Sequence, residues 1–193
     1  MGQIIWINGL AGAGKTTTAK ALCAKLEELH AKGELKSKGV IYTDGDDFRE
    51  VFEHSFGYSK EARINLTRKK IALCVALAKQ GFCVVHTAIS LFNECYQHNR
   101  ELCEKNHLKY IEIYIKCPTG VLEKRDQKGL YSKAKAGLQK DVVGVDIAYD
   151  EPKADLVLDG TNSTETNVAN ILEFLTTFKK FVKSGLNKNN PKV

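Results

Sequence analysis

Residues 9–16 read Gly-Leu-Ala-Gly-Ala-Gly-Lys-Thr and follow the apolar run from Gln3 to Asn8. The spacing G-x-x-x-x-G-K-S/T, with a strand pattern before it and a helical pattern after it, is that of a phosphate-binding loop. Gly9, Gly12 and Gly14 let the backbone curl until its amides, Ala13 among them, point inward at phosphate oxygens. Lys15 has the reach for β- and γ-phosphates, and the Thr16 hydroxyl suits Mg²⁺. Thr17 lies in the first turn of the following helix, whose N-terminal end favours anions. An ordinary glycine-rich turn explains neither the full motif nor its flanks. The expected ligand is ATP with Mg²⁺.

A second group of chemically capable residues runs from Thr43 to Arg49, at the end of a strand pattern. Carboxylates at the carboxyl end of a strand sit beside the crevice where open α/β sheets bind ligands. Asp44 is placed for Mg²⁺ or for an acceptor hydroxyl. Asp46 and Arg49 can reach an acceptor molecule, Arg49 by pairing with an anion. The competing role is helix N-capping, which suits Asp47 better than Asp44.

Two further clusters follow strand patterns. In Thr87-Ala88-Ile89-Ser90, Ser90 is placed to cap the next helix and to offer its amide to an anion. No histidine–carboxylate set accompanies it, so a nucleophilic role is not expected. His86 reads as a packed core histidine. Farther on, Arg125 and Lys128 open a long basic stretch, where they can swing over a transferring phosphate. A merely solvated basic face is the competing reading.

Strands are expected at 3–8, 40–43, 82–87, 109–116 and 155–158, and helices at 15–31, 60–80, 91–106, 118–125 and 165–183. Their alternation predicts a three-layer α/β/α fold of the P-loop NTPase type, with a five-stranded, mainly parallel sheet. The last helix carries Val168, Ile171, Leu172, Leu175 and Phe178 on one face, with a capping region at 161–165. Residues 127–152 fit neither pattern and are punctuated by Gly129, Gly137, Gly144 and Pro152. A connection of that length is usually functional, and a lid over the phosphates is expected. One domain spans 1–183. The polar tail 184–193 is expected to be disordered.

The chain has 193 residues, enough for one core but short for two domains, and a formal charge of +6. That charge suits an anionic ligand. It is too diffuse for nucleic acid, since no basic block is interleaved with aromatic residues. Most of the six cysteines lie inside apolar patterns, and none has metal-ligand spacing, which reads as buried free thiols in a reducing cytoplasm. No apolar stretch has membrane-spanning length, and no signal peptide is expected.

These residues together resemble the adenylyl-sulfate (APS) kinases. The resemblance rests on residues 9–16, Asp44-Gly45-Asp46 with Arg49, Gly57-Tyr58-Ser59 with Arg63, and Ala88-Ile89-Ser90. It continues in Arg125-Asp126, Lys128-Gly129-Leu130-Tyr131-Ser132-Lys133-Ala134, Gly144-Val145-Asp146, Tyr149, Pro152 and Asp155–Asp159. It covers about residues 1–160 in the family's order, and the Arg-Asp-x-Lys-Gly-Leu-Tyr run is far more specific than the phosphate loop alone. The resemblance implies transfer of the γ-phosphate of ATP to the ribose 3′-hydroxyl of APS, giving PAPS. By the same carry-over Asp44 serves the metal or the 3′-hydroxyl, and Lys128 acts on the transferring phosphate. Asp46, Arg49, Tyr58, Arg63, Ile89 and Ser90 fall to the acceptor nucleotide, and Arg125 to ATP. A homodimer is compatible with the resemblance, although no run of residues marks an interface.

The departures lie on the acceptor side. Val142 stands where the family has a phenylalanine that helps to sandwich adenine, and Val142 cannot stack. Leu66 replaces a polar residue associated with the acceptor site. After Ser90 two arginines of the family pattern are absent. Tyr58 keeps one aromatic face. The acceptor is therefore APS, or an analogue with another base such as cytidine 5′-diphosphoramidate, made for decorating bacterial surface polysaccharide. A nucleotide-binding switch is a third reading. It lacks the guanine-selecting Asn-Lys-x-Asp run, whose nearest likeness is Asn187-Lys188-Asn189 in the tail. Kinases of gluconate or shikimate lack the 125–134 pattern.

Overall fold

The computed structural model describes residues 2–52, 55–126 and 129–185, of which 178–185 by main chain alone. Lys128 and the tail beyond Gly185 lie outside the described residues. Five strands form one sheet: β1 (Gln3–Asn8), β2 (Val40–Asp44), β3 (Cys83–Ala88), β4 (Lys109–Lys116) and β5 (Leu156–Asp159). Their order is β2-β3-β1-β4-β5, and every neighbouring pair is parallel. Parallel neighbours need crossovers, which are supplied by α1 (Lys15–Ala31), α2 (Gly45–Val51), α3 (Lys60–Lys79), α4 (Asn93–Lys105), α5 (Thr119–Arg125) and α6 (Leu130–Lys135). Helix α7 (Thr164–Gly185) follows β5 and runs two residues further than its apolar face predicts.

The sheet is covered on both faces, so β1 reads as a continuous buried strand. Alternate side chains take opposite sides. Ile5 and Ile7 join Leu22 and Leu26 of α1 and Ile171 and Leu175 of α7. Ile4 and Trp6 join Ile71, Cys74 and Ala78 of α3. All six cysteines are buried and unbridged, as expected of core thiols. His86 is buried too. Its ring lies 4.2 Å from that of Trp6, and Nδ1 is 2.8 Å from the Thr43 hydroxyl. Burial first, then the Lys70 charge, push its pKa well below the usual range, so it stays neutral.

Registers place the site. Asn8 pairs with Ala88 on one side and Tyr114 on the other, and Asp44 pairs with Thr87. The ends of β1, β2 and β3 therefore open onto one crevice. Among the described residues, no helix is long and apolar enough to cross a membrane.

Two short helices were not expected. Helix α2 begins at Gly45, and α6 occupies part of the segment read as a loop from 127 to 152. Farther along it, residues 143–147 form a tight turn closed by a Val143–Ile147 bridge, with the Gly144 amide donating to the Ile147 carbonyl. Asp146 accepts from the amides of Asp141 and Val142 and holds the turn from within.

Candidate active site

The loop after β1 passes so close to β4 that a Cβ on Gly9 would lie 2.8 Å from the Ile115 carbonyl oxygen. Gly14 has φ +94° and stands at the N-cap of α1 without any side-chain cap. The first amides of a 17-residue helix are thus left facing a cleft, the arrangement that favours an anion. The cleft has a volume of about 440 Å³. Ala11, Gly12, Lys15 and Thr16 line one wall, and Asp44, Asp46, Arg49, Tyr58, Arg63 and Ile89 line another.

Lys15 donates to the Leu10 carbonyl at 2.8 Å. Burial pushes its ammonium down to about 8, against the pull of Asp44 and Asp46. The Thr16 hydroxyl donates to Asp44 Oδ2 at 3.0 Å. Asp44 also accepts from the Thr87 hydroxyl at 3.0 Å, from the Tyr42 hydroxyl, and from the Asp46 amide at 2.9 Å. Burial raises its pKa, but these four donors outweigh it and hold the carboxylate at about 2. Asp44 is thereby also the N-cap of α2, the role that the sequence favoured for Asp47. One carboxylate oxygen caps the helix while the other faces Thr16.

On the acceptor side, Arg49 is buried and its Nη1 donates to the carbonyls of Phe56 and Gly57. Its guanidinium lies 4.2 Å from the centre of the Tyr58 ring. Tyr58 thus offers aromatic surface already stacked with a cation. Arg63 donates to the carbonyls of Tyr58 and Asp141, tying α3 to the turn at 141–147. Burial, and then the Arg49 charge, push it down to about 10.

Three expectations need correction. Ser90 neither caps α4 nor offers its amide to the cleft. It is fully buried, its amide and hydroxyl both donate to Asn8 Oδ1, and the Trp6 indole donates to its oxygen. The α4 terminus is served instead by Asp150, which accepts from the Asn93 amide at 3.0 Å across 57 residues of chain. Arg125 does not hang over a transferring phosphate. It donates to the carbonyls of Gly12 and Gly160 and braces the phosphate loop from outside. The 127–152 segment is not a free loop, being anchored at both ends. The buried Tyr131 hydroxyl donates to the Ala11 carbonyl, and Asp150 donates its amide to the Leu91 carbonyl.

The sequence reading missed other participants. Asn8 donates to Glu112 of β4, which is paired with Arg100 at 3.0 Å, so a buried polar chain roots the phosphate loop. Tyr42 holds Asp44. Lys70 of α3 is buried beside Gly45, where a Cβ would lie 3.0 Å from its Nζ. A lysine inside the apolar stripe of α3 was the available signal.

Residues 1–159 match the family described as adenylylsulphate kinase. The chain is 44% identical over 172 residues to the cytidine diphosphoramidate kinase of Campylobacter jejuni, covering 89% of this chain and 93% of that protein. It is 36% identical over 176 residues to the adenylyl-sulfate kinase of Clostridium acetobutylicum, covering 90% and 83%. The APS kinase of Mycobacterium tuberculosis, solved in complex with AMPPNP and APS, superposes with a TM-score of 0.81 at 30% identity, covering 91% of this chain and 98% of that one. With a phosphate loop facing an acidic strand end, and with these likenesses over nearly its whole length, the chain is a P-loop nucleotide kinase and belongs to the adenylylsulphate kinase family.

Proposed function

We propose that the enzyme transfers the γ-phosphate of ATP to the ribose 3′-hydroxyl of a nucleotide with a short anionic 5′ chain, and that cytidine 5′-diphosphoramidate is its preferred acceptor. The reading rests on one observation. A single cleft joins Lys15 and Thr16 to Asp44, and then to Arg49 and Arg63. Phosphate donor, reacting hydroxyl and acceptor anion each have a chemically matched wall. The cytidine compound is preferred because the identity is higher to the kinase named for it, 44% against 36%. Val142 at the cleft also gives no ring for a purine to stack on. APS is the second reading, supported by the superposition with the APS complex.

The backbone amides of the loop and Lys15 would hold the β- and γ-phosphates, with Lys15 exchanging the Leu10 carbonyl for phosphate oxygens. The acceptor's O3′ attacks the γ-phosphorus as the bond to the departing ADP oxygen breaks, and the hydroxyl proton leaves late, to an oxygen of the transferred phosphoryl group. Asp44, already ionised, is a weak base. Its work is to accept the hydroxyl's hydrogen bond and aim the oxygen, which a loose phosphoryl transition state requires. Thr16 and Asp44 present hard oxygens 3.0 Å apart, with no cluster of three acidic, histidine or cysteine ligands among the described residues. That donor set fits a magnesium ion, which keeps most of its ligands as water and phosphate and which, when bound, neutralises charge on the phosphate oxygens. The 127–152 segment, held by Tyr131 and Asp150, would cover the phosphates as a fixed flap, and Lys128 would act on the transferring phosphate as the family resemblance implies.

The test is turnover with ATP and each acceptor, with the product's phosphorylated position read by ³¹P and ¹H NMR. The expected result is a 3′-phosphate on cytidine diphosphoramidate, with kcat/KM at least about tenfold above that for APS. The reverse ranking would make APS the acceptor. Turnover of neither would overturn the reading.

A further inference from the structure

Beneath the acceptor wall lies a smaller cavity of about 40 Å³, lined by Asp46, Arg49, Arg63, Leu66, Thr67, Lys70 and Ile89 with Gly45. We infer that Lys70 determines acceptor specificity: with Arg49 and Arg63 it forms a three-cation pocket that takes the anionic end of the acceptor's 5′ chain. This rests on the acceptor reading above and names a residue that reading does not contain.

Three observations carry it. First, Lys70 is only 6% exposed, yet its ammonium makes no hydrogen bond and no ion pair within 4 Å among the described residues. The Phe48 ring lies 6.0 Å from Nζ. The residue is buried but its ammonium opens onto the cavity, so a charge largely removed from water is left to be paired by whatever enters there. Second, the like charges converge. Burial, then Arg49, push the Lys70 ammonium down to about 8, and Arg63 adds to that repulsion against the pull of Asp46 and Asp44. An anion between the three cations would offset that repulsion. Third, the donors are spare. Arg49 spends only Nη1 on the main chain among the described residues, leaving Nε and Nη2.

Helical spacing explains the choice of position. Leu66 lines the same cavity one turn earlier on α3 and brings no polar atom, so Lys70, four residues on, supplies the polar group from the same face. The cavity holds about three water-sized spheres at ~10–15 Å³ each. That suits a sulfate- or phosphoramidate-sized terminus and not a nucleobase.

The test compares the wild type with Lys70→Met and Lys70→Arg. In steady-state assays with the acceptor that the wild type uses, Lys70→Met is expected to raise the acceptor KM at least tenfold. Its kcat and ATP KM should stay within threefold, and Lys70→Arg should recover most of the loss. An acceptor KM within twofold of wild type, an equal loss in ATP KM, or an arginine variant no better than the methionine one would each overturn the inference. Calorimetry with inorganic pyrophosphate, in saturating AMPPNP and Mg²⁺ to fill the phosphate loop, separates the two readings. Wild-type binding weakened tenfold in Lys70→Met supports the pocket whichever base the enzyme takes. Absence of wild-type binding overturns it even if turnover is confirmed.

Discussion

The Thr16 hydroxyl and the Asp44 carboxylate meet at 3.0 Å across 28 residues of chain, joining the first turn of α1 to the end of β2. This contact sets the phosphate-binding loop against the group that must face the acceptor hydroxyl. Neither residue is preceded by flexible chain. One lies in the first turn of a helix and the other ends a half-buried strand, so both are carried by regular structure.

Substitution Asp44→Asn tests the charge apart from the cap, because asparagine caps helices as well as aspartate does. We expect kcat to fall by roughly 10²–10³-fold, the scale of losing one electrostatic contact to a reacting centre. ATP KM should change less than threefold and Tm little. A kcat within fivefold of wild type would confine Asp44 to capping α2. Since the folded pKa is depressed to about 2, the carboxylate's stabilising contribution is complete above about pH 4 and is lost only as pH falls toward 2.

The Lys70 ammonium gives a stability signature of opposite sign. Its folded pKa, about 8, lies below the ordinary value of 10.5, so the unfolded chain holds the extra proton between those values. Stability therefore rises with pH through that window. Lys70→Met is expected to be more stable than wild type at pH 7 by on the order of 2 kcal/mol, a few degrees of Tm. The difference should shrink as pH climbs from 8 to 10.5. A methionine variant less stable than wild type at pH 7 would show the ammonium to be satisfied.

Much of this frame could be read from the residues. The β-strands are apolar runs with sharp edges, and the phosphate loop declares itself by spacing. Helices α2 and α6 escaped because seven and six residues are too few to show a period, and α2 starts at a glycine. The α4 terminus escaped for a different reason. Ser90 has the right type at the right place, but Asn8 claims both its donors, and the acceptor for the Asn93 amide comes from Asp150. Local pattern cannot announce a partner supplied by tertiary packing. Lys70 was overlooked because a lysine among helix formers reads as surface until the fold turns it inward.

Arg100→Ala should show what the buried chain under the phosphate loop is worth. Glu112 is 1% exposed and its other oxygen is held by Asn8, so removing the arginine leaves a buried carboxylate short of its counter-charge. Burial already raises its pKa against the Arg100 attraction. The expected loss is about 2–4 kcal/mol in urea denaturation. A loss under about 0.5 kcal/mol would place the pair among ordinary surface ion pairs.

Val142→Phe addresses the base. The position lines the cleft and is held by Asp146, so a ring placed there would present a stacking face. The ratio of kcat/KM for APS to that for cytidine diphosphoramidate should rise by about tenfold. An unchanged ratio would assign base choice to other residues of the wall.

Asn8 commits every polar atom of its amide that the structure pairs to residues on either side: two donors of Ser90 beyond β3 and the carboxylate of Glu112 in β4. A substitution at any of the three strands a polar group in the dark interior. These sites should drift together through evolution or stand still, so that a lineage altering one without the others would carry a crippled root to its ATP grip.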